Sequence, residues 1–222
     1  MKLLIINPNS SNSVTERIDA AAQVAALPSD QITTICATGA PELIITPEDA
    51  ITAERAVTAT LAKWKTPLDG VIIASFGDTG LNAVRKSLDV PVVGIAQSAY
   101  AMASVIGSRF SIVSFSPSMA VALKKTAESY DYGKHLASMH MVEKSQWNDP
   151  GNIQDDYAED LLLLCQKAAK EDHINSIVLG GGPLAGLATT LQPKVPVPII
   201  DGTTAAIATL RVALMSKARM TA

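Results

Sequence analysis

The chain repeats itself. Val71 to Ala99, VIIASFGDTGLNAVRKSLDVPVVGIAQSA, returns as Ser176 to Thr204, SIVLGGGPLAGLATTLQPKVPVPIIDGTT. Each copy runs from an apolar strand into a Gly-rich turn, a short helix, a Val-Pro-Val lead-in, a second strand and a polar turn. The matched prolines, Pro91 and Pro196, are separated by about half of the 222 residues. The chain therefore reads as two fused halves facing one another, with both Gly-rich turns lining the space between them.

Short Val/Ile-rich runs alternate with amphipathic stretches along the whole length, the pattern of βαβ units and parallel sheets. Strands are expected at Lys2-Ile6, Gln31-Cys36, Gly70-Ser75, Val92-Ile95, Phe110-Ser114, His140-Val142, Ser176-Leu179 and Pro198-Ile200. Helices are expected over Ser13-Ala26, Thr46-Lys65, Gly80-Ser87, Ser98-Val105, Ser116-Tyr130, Ile153-Glu171, Leu184-Thr190 and Thr203-Ser216. Ser13, three residues before Glu16, and Thr46-Pro47-Glu48-Asp49 are helix-start signals. Tyr132 to Gly151 is the one long irregular stretch. The expected fold is α/β with two pseudo-symmetric lobes, each a four-stranded parallel sheet flanked by helices. Residues 1–97 with a C-terminal helix from about 203 form one lobe, and residues 98–202 the other.

Composition excludes several functions. At 48% hydrophobic, 18% charged and net charge −3, with no Lys/Arg cluster, the chain has no nucleic-acid face and no polybasic membrane patch. No apolar run approaches the roughly 20 residues that span a bilayer, and MKLLIINPNSS reads as strand and turn, so a cytoplasmic protein is expected. Cys36 and Cys165, in a strand and a helix, read as buried thiols without a disulfide. His135, His140 and His173 lack metal-ligand spacing; with Trp147 they read as solvated or packed.

Six turns fall at strand carboxyl ends, where open parallel sheets bind ligands. The first half offers Asn7-Pro8-Asn9-Ser10-Ser11, Ser75-Phe76-Gly77-Asp78-Thr79-Gly80 and Ala96-Gln97-Ser98. The second offers Ser114-Phe115-Ser116-Pro117-Ser118, Gly180-Gly181-Gly182-Pro183 and Asp201-Gly202-Thr203-Thr204. Hydroxyl residues and glycines before helix starts leave backbone N–H groups that suit carboxylates, imides or enolate oxygens. The same residues also serve as ordinary caps. Neither Gly-rich turn has the lysine of a phosphate loop or dinucleotide spacing, so no nucleotide cofactor is expected.

These motifs resemble the Asp/Glu/hydantoin racemase superfamily, most closely its hydantoin and allantoin racemase branch. LLIINPNSS is similar to that branch's Ile-Asn-Pro-Asn-Thr-Ser opening, IIASFGDTGL to its Ala-Cys-Phe-x-Asp-Pro-Gly-Leu, and VPVVGIAQSA to its Pro-Val-x-Gly-Ile-x-Glu-Ala; SRFSIVS, IVLGGGPLAGLA and VPVPIIDGTTAA follow in order. The resemblance implies a two-lobed fold, no metal or organic cofactor, a small-molecule substrate bound between the lobes, and a homo-oligomer, for which the Thr46-Lys65 helix is one candidate interface. It also implies a cysteine on each face of the substrate carbon, and those positions are Ser75 and Gly181 here. A serine hydroxyl is a far weaker base than a thiolate of pKa about 8.5, and glycine carries no exchangeable side-chain proton.

Three accounts of this loss are open. One is an enzyme that works from one face of a hydantoin, thiohydantoin or small carboxylate, by hydrolysis, elimination, desulfurisation or decarboxylation. Another is a racemase with a Cys-to-Ser change introduced at Ser75. The third is a non-catalytic binding protein. The catalytic candidates are Ser75, Asp78 and Asp201. Substrate contacts are expected from Asn9, Ser10, Ser11, Phe76, Gly77, Thr79, Ser116, Ser118, Gly181, Gly182, Pro183 and Thr203. Arg85 reads as a surface partner for a carboxylate. The missing side chain at Gly181 is expected to leave room for a ring substituent or a water.

Overall fold

The computed structural model describes residues 1–143 and 146–220. Two four-stranded, all-parallel sheets form the frame. In the first, β1 (Lys2–Asn7), β2 (Gln31–Cys36), β3 (Gly70–Ile73) and β4 (Val92–Gly94) stand in the order β2-β1-β3-β4. The second repeats that order one half later: β5 (Phe110–Ser114), β6 (Leu136–Met141), β7 (Ser176–Gly180) and β8 (Ile199–Ile200) stand as β6-β5-β7-β8. Helices α1 (Asn12–Ala25), α2 (Pro47–Ala62), α3 (Leu81–Ser87) and α4 (Ile95–Ile106) connect and follow the first set. Helices α5 (Ala120–Ser129), α6 (Ile153–Asp156), α7 (Ala158–Glu171), α8 (Leu187–Leu191) and α9 (Gly202–Met220) do so for the second.

Period-two alternation along each central strand divides the core into three layers. Leu3, Ile5 and Ile72 of the first sheet and Phe110, Ile112, Val178 and Ile200 of the second belong to one shared central cluster. Their neighbours Leu4, Ile6, Val71 and Ile73 pack outward with α2 and α3, and Val113, Ile177, Leu179 and Ile199 pack outward with α7 and α8. Helices α4 and α9 pack together and contribute Tyr100, Ala103, Ala206 and Leu210 to the central layer. Tyr100 stacks on Phe110 at 5.6 Å and meets Phe76 edge-on at 6.3 Å, joining the two halves.

Most expected elements are present, and the differences have local causes. Helix α1 is capped by Ser11, whose Oγ accepts the Val14 N–H, rather than by Ser13. Thr46 and Asp49 do form the reciprocal cap of α2. Helix α4 starts at Ile95, not Ser98, because its cap comes from a different strand turn, as shown below. The Ser116-Tyr130 helix begins as a 3-10 turn over Pro117–Met119. The Leu184-Thr190 helix is split by Gly186, at φ 86°. The Ile153-Glu171 helix breaks at Tyr157, whose hydroxyl bonds the backbone of Gln146 at 2.6 and 2.7 Å. Part of the expected irregular stretch is the edge strand β6, whose Ser138 and His140 bond Asp172 instead of entering an apolar layer. Cys165 is buried, its thiol pushed up to about 12 by burial. Cys36 corrects the expectation of two buried thiols: it is half-buried, 3.6 Å from Asn12 Oδ1.

Helix α9 is fastened to the first half. Leu210 packs where a Cβ on Gly70 would lie, 2.8 Å away, and Arg211 donates to Asp30 at 2.8 Å. Burial raises the Asp30 carboxyl, but bonds from the Leu27 N–H, the terminal amine and Arg211 outweigh it and hold the group at about 2. A carboxyl depressed in the folded state stabilises the fold above its unfolded value near 4 and loses that contribution as pH falls toward the folded value. Arg211→Ala is expected to lower stability by about 1–3 kcal/mol at neutral pH. It should also reduce the further loss seen on acidification from about pH 4 toward 2, measured by denaturant unfolding across that range.

Candidate active site

Parallel crossovers put every strand-to-helix turn at the carboxyl edge of its sheet, and the packing of the halves brings these edges together. A Cβ on Gly202 would lie 2.9 Å from the Phe76 ring, and one on Gly182 would lie 3.6 Å from the Ala74 carbonyl oxygen. The third turn of the second half thus meets the second turn of the first, and the Gly-rich turn of the second half meets the end of β3. Phe76 is buried in the central cluster, 4% exposed.

The first turn is ordered by its own polar side chains. Asn7 donates to Asn9 Oδ1 at 2.7 Å, which also accepts the Ser11 N–H at 3.0 Å. The Ser10 N–H donates to the Pro41 carbonyl. In the turn after β3, Ser75 is partly exposed, and its Oγ accepts the Thr79 N–H at 3.2 Å. Ser116 and Ser118 bond to each other at 2.9 Å. Thr203, 1% exposed at the start of α9, has a hydroxyl without a hydrogen-bond partner among the described residues.

The two buried aspartates occupy corresponding places by opposite routes. The registers Ile72 to Val93 and Val178 to Ile200 make Gly94 and Asp201 equivalent, each following the matched strand residue. Asp201 caps its own helix through the Thr204 N–H at 3.0 Å and reaches back to the Gly186 N–H at 2.7 Å. In the first half the carboxylate comes from Asp78, which accepts the Ala96 and Gln97 N–H groups at 3.1 and 2.9 Å and so caps α4 rather than α3. Its Cγ lies 2.2 Å from the place where a Cβ on Gly94 would stand. Tyr130, from the second half, donates to Asp78 Oδ2 at 2.8 Å. Arg85 donates to the Val92 carbonyl and to Gln97 Oε1, and its positive charge acts on the Asp78 carboxyl to favour the ionised form.

Gly181 is the place where the matched turns part. Its φ of 143° disfavours any L side chain, and a Cβ there would lie 2.6 Å from Phe115 Cε1. The room expected at Gly181 is therefore occupied by the Phe115 ring, which Trp147 meets edge-on at 5.6 Å and 84°. Two cavities flank the cluster. One, of about 630 Å³, lies between Ser10, Ser11, Ser13, Glu42 and Asn148-Asp149; the other, of about 530 Å³, lies beside Arg17, Gln154, Gly186, Asp201 and Thr204.

Sequence reasoning placed Phe115 in a candidate turn without a role, and missed Tyr130, Gln154 and the Trp147-Asp149 segment as neighbours of the site. Gln154, buried, donates to the Pro183 and Ala185 carbonyls at 3.0 and 3.2 Å, and Asp149 accepts from Ser13 across the halves. None carries a periodic or spacing signal; each reaches its partner across long stretches of chain. Among the described residues no group of three or more His, Cys, Asp or Glu converges to hold a metal, and no helix is long and apolar enough to cross a membrane.

Burial raises the Asp78 carboxyl to about 6, against the Gln97 N–H, the Tyr130 hydroxyl and the Ala96 N–H. A carboxyl raised in the folded state stabilises the fold fully below its unfolded value near 4 and loses that contribution as pH rises through its folded value. Stability is thus expected to fall between about pH 4 and 6. Asp78→Asn should flatten that fall while lowering stability throughout, since an amide NH₂ cannot accept from the α4 N–H groups. Burial also raises Asp201, which accounts for slope remaining in the variant; unfolding from pH 4 to 7 measures both.

A family model described as Asp/Glu/Hydantoin racemase matches residues 3–210. The hydantoin racemase of Paenarthrobacter aurescens is 34% identical over 210 residues, covering 93% of this chain and 88% of that protein. The hydantoin racemase of Pseudomonas sp. (strain NS671) is 31% identical over 211 residues, covering 93% and 83%. The solved structure of an allantoin racemase from Klebsiella pneumoniae superposes with a TM-score of 0.90 at 33% identity, covering 98% of this chain and 89% of that one. On the match that spans both sheets and the turns between them, the chain belongs to the Asp/Glu/hydantoin racemase family.

Proposed function

We propose that the chain is a cofactor-independent enzyme acting from one face of a small substrate, a hydantoin-type ring (thiohydantoins included) or a small carboxylate. The chemistry is hydrolysis, elimination, desulfurisation in which water replaces the ring sulfur and hydrogen sulfide leaves, or decarboxylation. The observation that carries this reading is the asymmetry of the matched turns. Ser75 presents a partly exposed hydroxyl, whereas Gly181 has no side chain and Phe115 fills the space one would take. Racemisation by two bases needs a proton acceptor on one face and a donor on the other. Here the turn after β3 offers the Ser75 hydroxyl, and the matched turn offers no side chain at Gly181.

Ser75 Oγ accepts the Thr79 N–H, which leaves its hydrogen free to donate to a carbonyl oxygen or departing group of the substrate. Asp78 and Asp201 spend their oxygens on backbone N–H groups; in this reading they act by holding the turns that contact substrate. The Thr203 hydroxyl, without a partner among the described residues, supports a ligand contact at the start of α9, because a buried hydroxyl without a partner costs about 1–3 kcal/mol. Asn9, Ser10, Ser11, Ser116, Ser118 and the Gly182-Pro183 turn complete the polar surround. The reading places the enzyme in the cytoplasm as a homo-oligomer, and the exposed Ile51 on α2 supports that helix as an interface.

A second reading, a racemase or isomerase, is favoured by the hydantoin racemases that share about a third of the sequence. Incubation with 5-substituted hydantoins, thiohydantoins and allantoin in deuterated water, followed by NMR, separates the two. Ring-opened, desulfurised or decarboxylated products are expected, and Ser75→Ala should slow their formation by about 10²-fold or more while binding persists. Deuterium exchange at the ring carbon without net product would instead establish racemisation, and binding without either change would establish a binding protein.

A further inference from the structure

We propose that the crevice between α1 and α8 is a second small-molecule site, built for a small zwitterion whose ammonium faces Gln154 and Asp201 and whose carboxylate meets Arg17. It is separate from the turn that carries Ser75, and no step of the chemistry proposed above depends on it.

The crevice is the cavity of about 530 Å³ beside the third turn of the second half, within the range of about 300–1,000 Å³ usual for small-molecule pockets. Each half supplies one wall. Helix α1 brings Arg17, Ala20 and Val24, and the second half brings Gln154, Ala188 and Asp201.

The second-half wall holds two buried acceptors that the protein leaves short of a partner. Gln154, 6% exposed, spends its amide nitrogen on the Pro183 and Ala185 carbonyls at 3.0 and 3.2 Å. Two carbonyl partners fix which end of the amide is the nitrogen. What remains for the cavity is Oε1, an acceptor without a hydrogen bond among the described residues. Asp201, 5% exposed, accepts the Gly186 and Thr204 N–H groups at 2.7 and 3.0 Å, yet among the described residues no ion pair reaches it. Carboxylates buried to this degree are ordinarily paired with a cation. Burial without one pushes the Asp201 carboxyl up, and its oxygens keep lone pairs beyond the two that the backbone uses. An ammonium group, with three donors and no acceptor, serves both groups at once. A neutral N–H would satisfy Gln154 and leave the Asp201 charge unpaired.

The opposite wall carries the complementary charge. Arg17 donates from Nε to the Gly151 carbonyl at 3.0 Å and pairs through one terminal nitrogen with the exposed Asp155. Its second terminal nitrogen has no partner among the described residues, and a guanidinium edge is suited to a carboxylate. Between the polar groups the lining is aliphatic, from Ala20, Ala188 and Val24, the last 76% exposed. An aliphatic body between the two charges covers that surface. Aliphatic amino acids have this chemistry. Because Gln154 and Asp201 also hold the turn from Pro183 to Gly186, a ligand that bridges them to α1 fastens one half to the other.

The test uses L-leucine and 6-aminohexanoate, which bracket the spacing between ammonium and carboxylate, with methyl-labelled full-length protein followed by NMR titration. At least one of the two is expected to bind saturably, to shift the methyl signals of Val24, Ala188 and Ile199, and to raise the unfolding midpoint as its concentration rises. The N-acetylated form of the binder, which lacks the ammonium, should bind at least about tenfold more weakly. Arg17→Ala should weaken binding to a similar extent. Ala20→Phe, at an exposed position on the rim, should block the crevice while leaving every polar group in place, so it keeps the test decisive if the loss of Arg17 disturbs folding. No binding of either compound by the wild type, shifts confined to residues around Ser75, equal binding of the acetylated form, or unchanged affinity in Ala20→Phe overturns the proposal. None of these outcomes bears on the reaction assigned to the Ser75 turn.

Discussion

A buried carboxylate ties two strand-end turns together in each half, and the geometry of the site follows from that bond. Asp78 joins the turn after β3 to the first turn of α4, and Asp201 joins the start of α9 to the turn after β7. In both halves backbone N–H groups at a helix start supply the donors, where the helix dipole favours negative charge. Burial of the charge opposes ionisation, so each carboxyl sits above its ordinary value. These are costly bonds, and they fix the relative placement of the turns that carry Ser75, Gly186 and Thr203.

The two ties are not copies. The pseudo-symmetry of the chain is kept in the position of the carboxylate and broken in which strand provides it. With Asp78 filling the space beside Gly94, a side chain at residue 94 is excluded; in the other half Asp201 itself stands at that place. One consequence is that the first half is tied to the second through Tyr130, which donates to Asp78. Another is that α4 begins three residues earlier than its local sequence indicates.

That last point shows where the sequence was legible and where it was not. Seven of the eight strands and both Gly-rich turns could be read because each depends on a contiguous run, such as LLIIN or IVLGG. The half-length repeat paired them correctly. The α4 cap could not be read, since Gly94 has no capping side chain and the acceptor lies on another strand. Strand β6 was only partly visible because Ser138 and His140 face Asp172 and interrupt the apolar alternation. The start of α1 was misplaced by a competing hydroxyl, Ser13, which bonds Asp149 across the halves instead of capping. In the candidate site the residue types were legible, but the use of the Gly181 space was not. A missing side chain in a sequence reads as a hole. In a close-packed interior a neighbour takes the space, and here the neighbour is Phe115.

The difference between the matched turns is therefore one of chemistry rather than of place. The carboxylates of Asp78 and Asp201 hold helix starts in corresponding positions, so the turn after β3 and the turn after β7 stand at equivalent strand ends. One of them carries the partly exposed Ser75 hydroxyl. The other carries no side chain at Gly181, and its φ of 143° together with the Phe115 ring opposes one there. A frame that keeps its pseudo-symmetry in the backbone thus gives up that symmetry in the groups it presents, and the chemistry starts from that inequality.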